Sequence, residues 1–286
     1  MADGDQAGDT RQARAPYIVI RPTRGWASLR LGDVWEYRDL LYFLLWREVK
    51  GRYRQMALGP LWIIIQPVVN MIIFSLVFGG LAQLPSDGVP YPLFTYVALL
   101  PWRFFATATG SSANSLVSQQ HLIAKVYFPR LIIPVSLVLS ALVDFLVSFV
   151  ILVGMLAFYR IAPSWSLLML PLYTLLAGGF ALAIGMWLAG LSVKFRDVAL
   201  GLNFAILAWQ YLTPVAYSSS LVPEHWRMLY RLNPMTEVVD GFRWAILGVG
   251  QKPDWLLLAI ALAVGLLLMA GAYFFRATER TIVDVL

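Results

Sequence analysis

Long apolar runs alternate with short polar segments along most of this chain. No charged residue occurs between Arg54 and Asp87, and residues 61–81 within that interval form a first stretch long enough to cross the ~30 Å hydrocarbon layer of a bilayer as a helix. A second stretch, about 92–118, is interrupted by Pro101 and Arg103 and ends in the polar run SSANSLVSQQ. Further stretches cover 131–158, 167–191, 198–217 and 255–275. None of them shows the ten-residue alternation of a membrane β-barrel. The pattern predicts an all-α integral membrane fold with six transmembrane helices.

Two segments are amphipathic but too short or too charged to span. In 33–56 the uninterrupted apolar part is only Leu40 to Trp46. Asp33 is placed to cap a helix, and Val34, Tyr37, Leu41, Leu44 and Leu45 fall on one helical face with Trp35 and Trp46 near its edges. This predicts a helix lying in the membrane interface, with its basic residues toward phosphates. The competing reading is a helix of a soluble domain. The second segment, about 218–250, contains two short helices at 221–231 and 234–247. Asn233 followed by Pro234 is an N-cap and first-turn pair, and Gly248 is a stop signal. This hairpin either lies on the surface or re-enters the membrane, which is allowed only where protein or water satisfies its backbone.

Composition narrows the class. The chain has 286 residues, of which 59% are hydrophobic and 13% charged, about half the charged share of a soluble domain. There is no cysteine, which excludes disulfides, zinc–thiolate sites and a cysteine nucleophile. The two histidines, His121 and His225, belong to no metal-binding pattern. Residues 1–32 read as a polar cytoplasmic tail without a signal peptide's apolar run. Sixteen of the 22 basic residues fall on the side holding both ends of the chain, the 119–130 loop and the 192–197 loop, and five on the other. By the positive-inside rule both termini are cytoplasmic.

Several local patterns occur in order: FLLWREVKGRYRQMALGPLWIIIQPV (43–68), LLPWRFF (99–105), SLVSQQHLIAKVYFPRLIIP (115–134), VKFRDV (193–198) and LNPMTEVVDGFRWAILG (232–248). Together they resemble the transmembrane subunit of ABC-2-type polysaccharide exporters, the permeases for O-antigen, capsule or teichoic acid, over residues 33–286. The resemblance implies a transmembrane domain over 57–286, a homodimer with a channel between its copies, and a location in the bacterial inner membrane. It also implies a separate cytoplasmic ATPase, two copies per transporter, which holds ATP and Mg. The chain itself binds no cofactor and is not an enzyme on this reading. None of its four lysines follows a glycine, so it lacks the Gly-Lys pair of a phosphate-binding loop.

The resemblance assigns the segment of about 118–130 to ATPase coupling, through His121, Leu122, Ile123, Lys125, Tyr127, Phe128 and Arg130. Exposed apolar anchors would enter a groove on the partner, with charges on the rim. The bland alternative is an ordinary basic loop. Arg47, Lys50, Arg52 and Arg54 are candidates for lipid phosphate at the interface. Phe94, Tyr96, Trp102, Arg103, Phe104 and Phe105, with Trp209, Tyr211 and Tyr217, are candidates to line a sugar-conducting channel, against the alternative of packing or an aromatic belt. Asn233, Pro234, Glu237, Asp240 and Arg243 are candidates for an outer gate, against a surface amphipathic helix. Asp144, within the third span and flanked by Ser140 and Ser148, and Arg103 are costly in hydrocarbon. They face a water-filled path or each other, or serve structure. A different cargo (lipid or drug) is one competing function. A membrane enzyme acting on lipid-linked sugar is another, with Glu224, His225, Glu237 and Asp240 as its only acid–base group.

Overall fold

A computed structural model describes residues 35–54, 59, 61–125, 128–195 and 197–285. The polar tail, the Asp33 cap, Val34 and the coupling residue Tyr127 lie outside the described residues, as does the side-chain environment of Ile123. The described secondary structure is helical: α1 Arg38–Tyr53, α2 Leu61–Phe74, α3 Tyr91–Ala113, α4 Ser115–Ser118, α5 Gln120–Lys125, α6 Ile132–Phe158, α7 Leu170–Ser192, α8 Val198–Leu212, α9 Glu224–Arg231, α10 Pro234–Leu247 and α11 Trp255–Val285. Wider π-type turns extend α2 to Leu81, and a 3₁₀ turn from Trp165 precedes α7.

Four helical stretches are long and apolar enough to cross a bilayer: Leu61–Leu81, Ile132–Phe158, Trp165–Ser192 and Trp255–Thr278. The chain is therefore a multi-pass membrane protein. Helix α3 is absent from that set, although it occupies the centre of the bundle and packs on α2, α6, α7 and α10. Its less apolar sequence follows from this position. Buried Thr95, Thr109 and Ser112 face protein instead of lipid, where small polar residues allow helices to approach closely. The fifth predicted span, 198–217, is shorter than expected. Helix α8 ends at Leu212, and 15 residues rise only ~22 Å. The following stretch, 213–216, is irregular and buried.

Helix α1 lies against α6. Leu44, with Tyr37, Leu40 and Leu41, packs on Phe128, Ile132, Ile133 and Leu137. This is the apolar face predicted from spacing, seated on protein. The helices of the 218–250 hairpin also form where expected. The Asn233 side chain accepts from the Met235 N–H at 3.1 Å, and Gly248 ends α10 in the left-handed region at φ 74°. Helix α10 is buried along most of its length against α3 and α7. Gly241 makes this possible: a Cβ there would sit 2.3 Å from the Tyr173 ring.

Candidate functional site

Arg103 of α3 and Asp144 of α6 face one cavity together with Glu48 and Arg52 of α1. Arg52, in the last turn of α1, pairs with Asp144 in the middle of α6 and donates a second bond to Ser140 Oγ at 3.2 Å. Glu48, one turn earlier on α1, lies 3.7 Å from the same guanidinium. Thus Asp144 is paired, and among the described residues the guanidinium that forms its ion pair is that of Arg52 rather than Arg103. Nearby, Pro67 on α2 has no N–H to offer the Ile63 carbonyl. The Ser148 hydroxyl lies 3.4 Å from that oxygen and 3.0 Å from the Asp144 carbonyl, so its single proton is shared between the two helices.

Beside this pair is a cavity of about 530 Å³ bounded by α1, α2, α3 and α6. Its wall includes Glu48, Arg52, Trp62, Gln66, Arg103, Thr107, Ser111 and Asp144. Arg103 donates to Gln66 Oε1 at 2.6 Å. A further space of about 360 Å³, shared through Trp62, Gln66 and Arg103, continues past Val69 and Asn70 on α2. Gln66 and Asn70 were not singled out from sequence. A polar pair four residues apart on one face of an otherwise apolar span was the available signal.

The basic cluster of α1 does not face outward as a unit. Arg52 turns inward to Asp144, and Arg47 donates to Gln119 at the start of the 119–130 segment. Lys50 and Arg54 remain exposed, with Lys50 Nζ 5.7 Å from the Trp46 ring centre. Of the four residues expected at lipid phosphate, Arg47 and Arg52 have partners within the chain, whereas Lys50 and Arg54 are exposed. Among the residues expected to couple to an ATPase, His121 and Lys125 are exposed, while Arg130 and Leu122 are half-buried. Phe128, expected as an exposed anchor, is buried against α1 and α6 and fastens the turn to its own subunit.

The aromatic candidates on α3 face the interior of the subunit. Phe94 lies under the Arg243 guanidinium at 3.6 Å, and Tyr96 donates to the Ser148 carbonyl at 3.0 Å. Trp102 packs on Phe105, which stacks on Phe180 and meets Trp209 edge-on; Phe104 packs on Phe145. In the single subunit these rings of α3 are buried, each packed against its own helices. Tyr211 is exposed, and Trp209 and Tyr217 are half-buried.

The gate candidates form a clasp at the other end of the bundle. Asn233 accepts from Trp209 Nε1 and donates to Thr213 Oγ1, both at 3.1 Å, which fixes the start of α10, with Pro234 in its first turn, to the end of α8. Arg243 is fully buried and donates to the Val215 and Tyr217 carbonyls at 3.0 and 3.1 Å. It thereby satisfies the irregular backbone that follows α8. Asp240 lies 3.8 Å from Arg243, three residues further along α10. Arg231 bridges Glu237 at 2.8 Å and Asp254 at 2.7 Å. Burial pushes the Glu237 carboxyl above its ordinary range against the pull of Arg231, whereas the hydrogen bond from Arg231 holds Asp254 below it. Glu237 and Asp240, two of the four residues considered for an enzymatic group, are each bound to an arginine.

The architecture is that of a polytopic membrane protein, a helical bundle with α1 packed against α6 and a buried hairpin before the last helix. Residues 39–247 match the model of the ABC-2 type transporter family, and the chain belongs to that family. It is 31% identical to the O-antigen export system permease protein RfbA of Myxococcus xanthus, over 87% of this chain and 95% of that protein. A Klebsiella pneumoniae protein of the same name is 29% identical over 72% of this chain and 79% of its own length. The polysialic acid transport protein KpsM of Escherichia coli is 19% identical over 71% and 80% respectively.

Proposed function

We propose that this chain is the permease subunit of an ATP-driven exporter of a lipid-linked polysaccharide, with O-antigen as the favoured cargo, in the bacterial inner membrane. The observation that carries this reading is the 31% identity, across almost the whole length of both proteins, to a relative named as an O-antigen export permease. Capsule-type polymer is the second reading, favoured by the likeness to the polysialic acid transport protein.

In this reading six helices span, both termini are cytoplasmic and the 218–250 hairpin re-enters at the outer mouth. Two copies enclose the conduit, and a separate ATPase holding ATP and Mg presses on the coupling turn. The linkage of Arg47 to Gln119 and of Arg52 to Asp144 supports a mechanical role for α1. A push on the turn reaches the middle of α6 through one rigid helix. The exposed apolar face of α8 (Leu200, Phe204, Leu207 and Tyr211) supports a contact between copies beside the conduit. Deleting the gene in the producing cell should abolish surface polysaccharide and leave lipid-linked polymer inside, with recovery on re-expression. Unchanged surface polysaccharide after deletion overturns the proposal.

A further inference from the structure

We propose that the cavity bounded by α1, α2, α3 and α6 is a saccharide-binding site inside the single subunit, holding a sugar unit of the polymer during passage. The inference rests on the reading of the chain as a polysaccharide exporter and adds where one subunit grips its cargo. At about 530 Å³ the cavity lies within the range of small-molecule sites, roughly 300–1,000 Å³. Its wall mixes apolar side chains (Ile63, Pro67, Leu100, Phe104, Ala141 and Phe145) with charged ones, and an acyl chain filling it would strip water from Arg52, Glu48, Asp144 and Arg103 without replacing its hydrogen bonds. A bare anion fits little better, because Glu48 and Asp144 balance the two guanidiniums.

A sugar ring suits all three parts of the wall. Carboxylate and amide oxygens accept from hydroxyls, guanidiniums donate to them, and the half-exposed Trp62 indole offers a flat apolar face to the ring's C–H groups. Arg103 is the residue best placed for recognition. Among the described residues its hydrogen-bond partner is the neutral amide of Gln66, so its planar fork keeps donors for adjacent hydroxyls. The second space, about 360 Å³ and lined by Trp62, Arg103, Gln66 and Asn70, continues the cavity along α2. Two adjoining compartments that share Trp62, Gln66 and Arg103 fit consecutive sugars of a chain.

The test uses the complete transporter in membranes of the producing cell. The photoreactive residue p-benzoylphenylalanine replaces Thr107, an exposed wall residue, or separately Ser111, also on the wall; Leu175, 74% exposed on α7, is the control. After irradiation, adducts are probed for vicinal diols by periodate oxidation and hydrazide tagging. Tagged adducts are expected from positions 107 and 111 and not from 175. Arg103→Gln or Gln66→Leu should lower the yield at 107 about tenfold, the scale of one charge-assisted hydrogen bond. Lipid adducts alone at 107 and 111, or equal tagging at 175, overturn the site. Deletion of the gene separates the two claims. Loss of surface glycan on deletion together with untagged cavity positions refutes the cavity and leaves export standing. Surface glycan that survives deletion refutes export.

Discussion

Asp144 illustrates what one charged residue demands of an apolar helix. It is the one acid in the 27 residues of α6, and insertion of a lone carboxylate at such depth costs ~2.5–3.5 kcal/mol. Arg52 offsets that cost, helped by Ser140, and the two side chains keep 20% and 23% of their surface exposed. Asp144→Asn should therefore destabilise the purified protein by about 1–3 kcal/mol, less than the loss of a fully enclosed pair. Adding Arg52→Gln to Asp144→Asn should recover part of the loss. Thermal unfolding of the two single variants and the double variant measures this coupling, and additive losses would contradict it. The cost of Asp144 was legible in the sequence because it depends on the residue and its apolar neighbours alone. Its partner was not, because 92 positions separate Arg52 from Asp144 and only the docking of α1 on α6 brings them together.

At the scale of elements, α10 is held by close packing and by buried charge. Gly241→Leu would drive a side chain into the buried Tyr173 ring. A loss of about 1–3 kcal/mol is expected, or failure to accumulate, whereas Gly265→Leu on α11, with open space around its Cα, should be tolerated. Arg243→Met keeps the bulk but leaves the Val215 and Tyr217 carbonyls without their donor. About 2–4 kcal/mol should be lost, and Arg243→Lys should not restore it, because an ammonium lacks the planar fork.

The Arg231 bridge adds a pH signature to the same hairpin. Glu237 has a raised folded pKa, so it takes up a proton more readily folded than unfolded, and its contribution to stability rises as pH falls through that value. Asp254 has a depressed folded pKa; its contribution is present above its unfolded value near 3.8 and disappears as pH falls through the folded one. Comparing Glu237→Gln with the unmodified protein from pH 3 to 8, the variant should lack the rise in mild acid and keep the fall in strong acid. Parallel curves across the whole range would contradict this assignment.

At the scale of the whole molecule, α8 packs on α3 and α7 along one side and is otherwise open. Only Leu202 is buried, while Leu200 and Phe204 are 76% and 75% exposed. Lipid covers such a face as well as protein does, so the two cases require an experiment. The absence of native cysteine makes it direct, since Phe204→Cys introduces a unique thiol. If two copies meet along α8, mild oxidation of native membranes should give a disulfide-linked dimer at position 204 and none from Leu258→Cys on the exposed face of α11. A monomer at both positions would place the contact elsewhere.

The sequence by itself determined the helical class, the apolar spans and the caps of the hairpin. These depend on what each segment must do with its own backbone and with the solvent beside it: Asn233, Pro234 and Gly248 mark α10 through local geometry alone. It also determined which residues were too costly to be incidental, Asp144 and Arg103 among them. Tertiary structure alone decided whether a ring or charge faces the interior or the surface. The aromatic rings of α3 have the same composition on either reading, and only the helices gathered around that element bury them. In the same way, Arg52 left the lipid interface for Asp144, and Gln66 came to stand beside Arg103, because electrostatic and hydrogen-bonding partners are chosen by distance in space, which apolar periodicity along a chain does not encode.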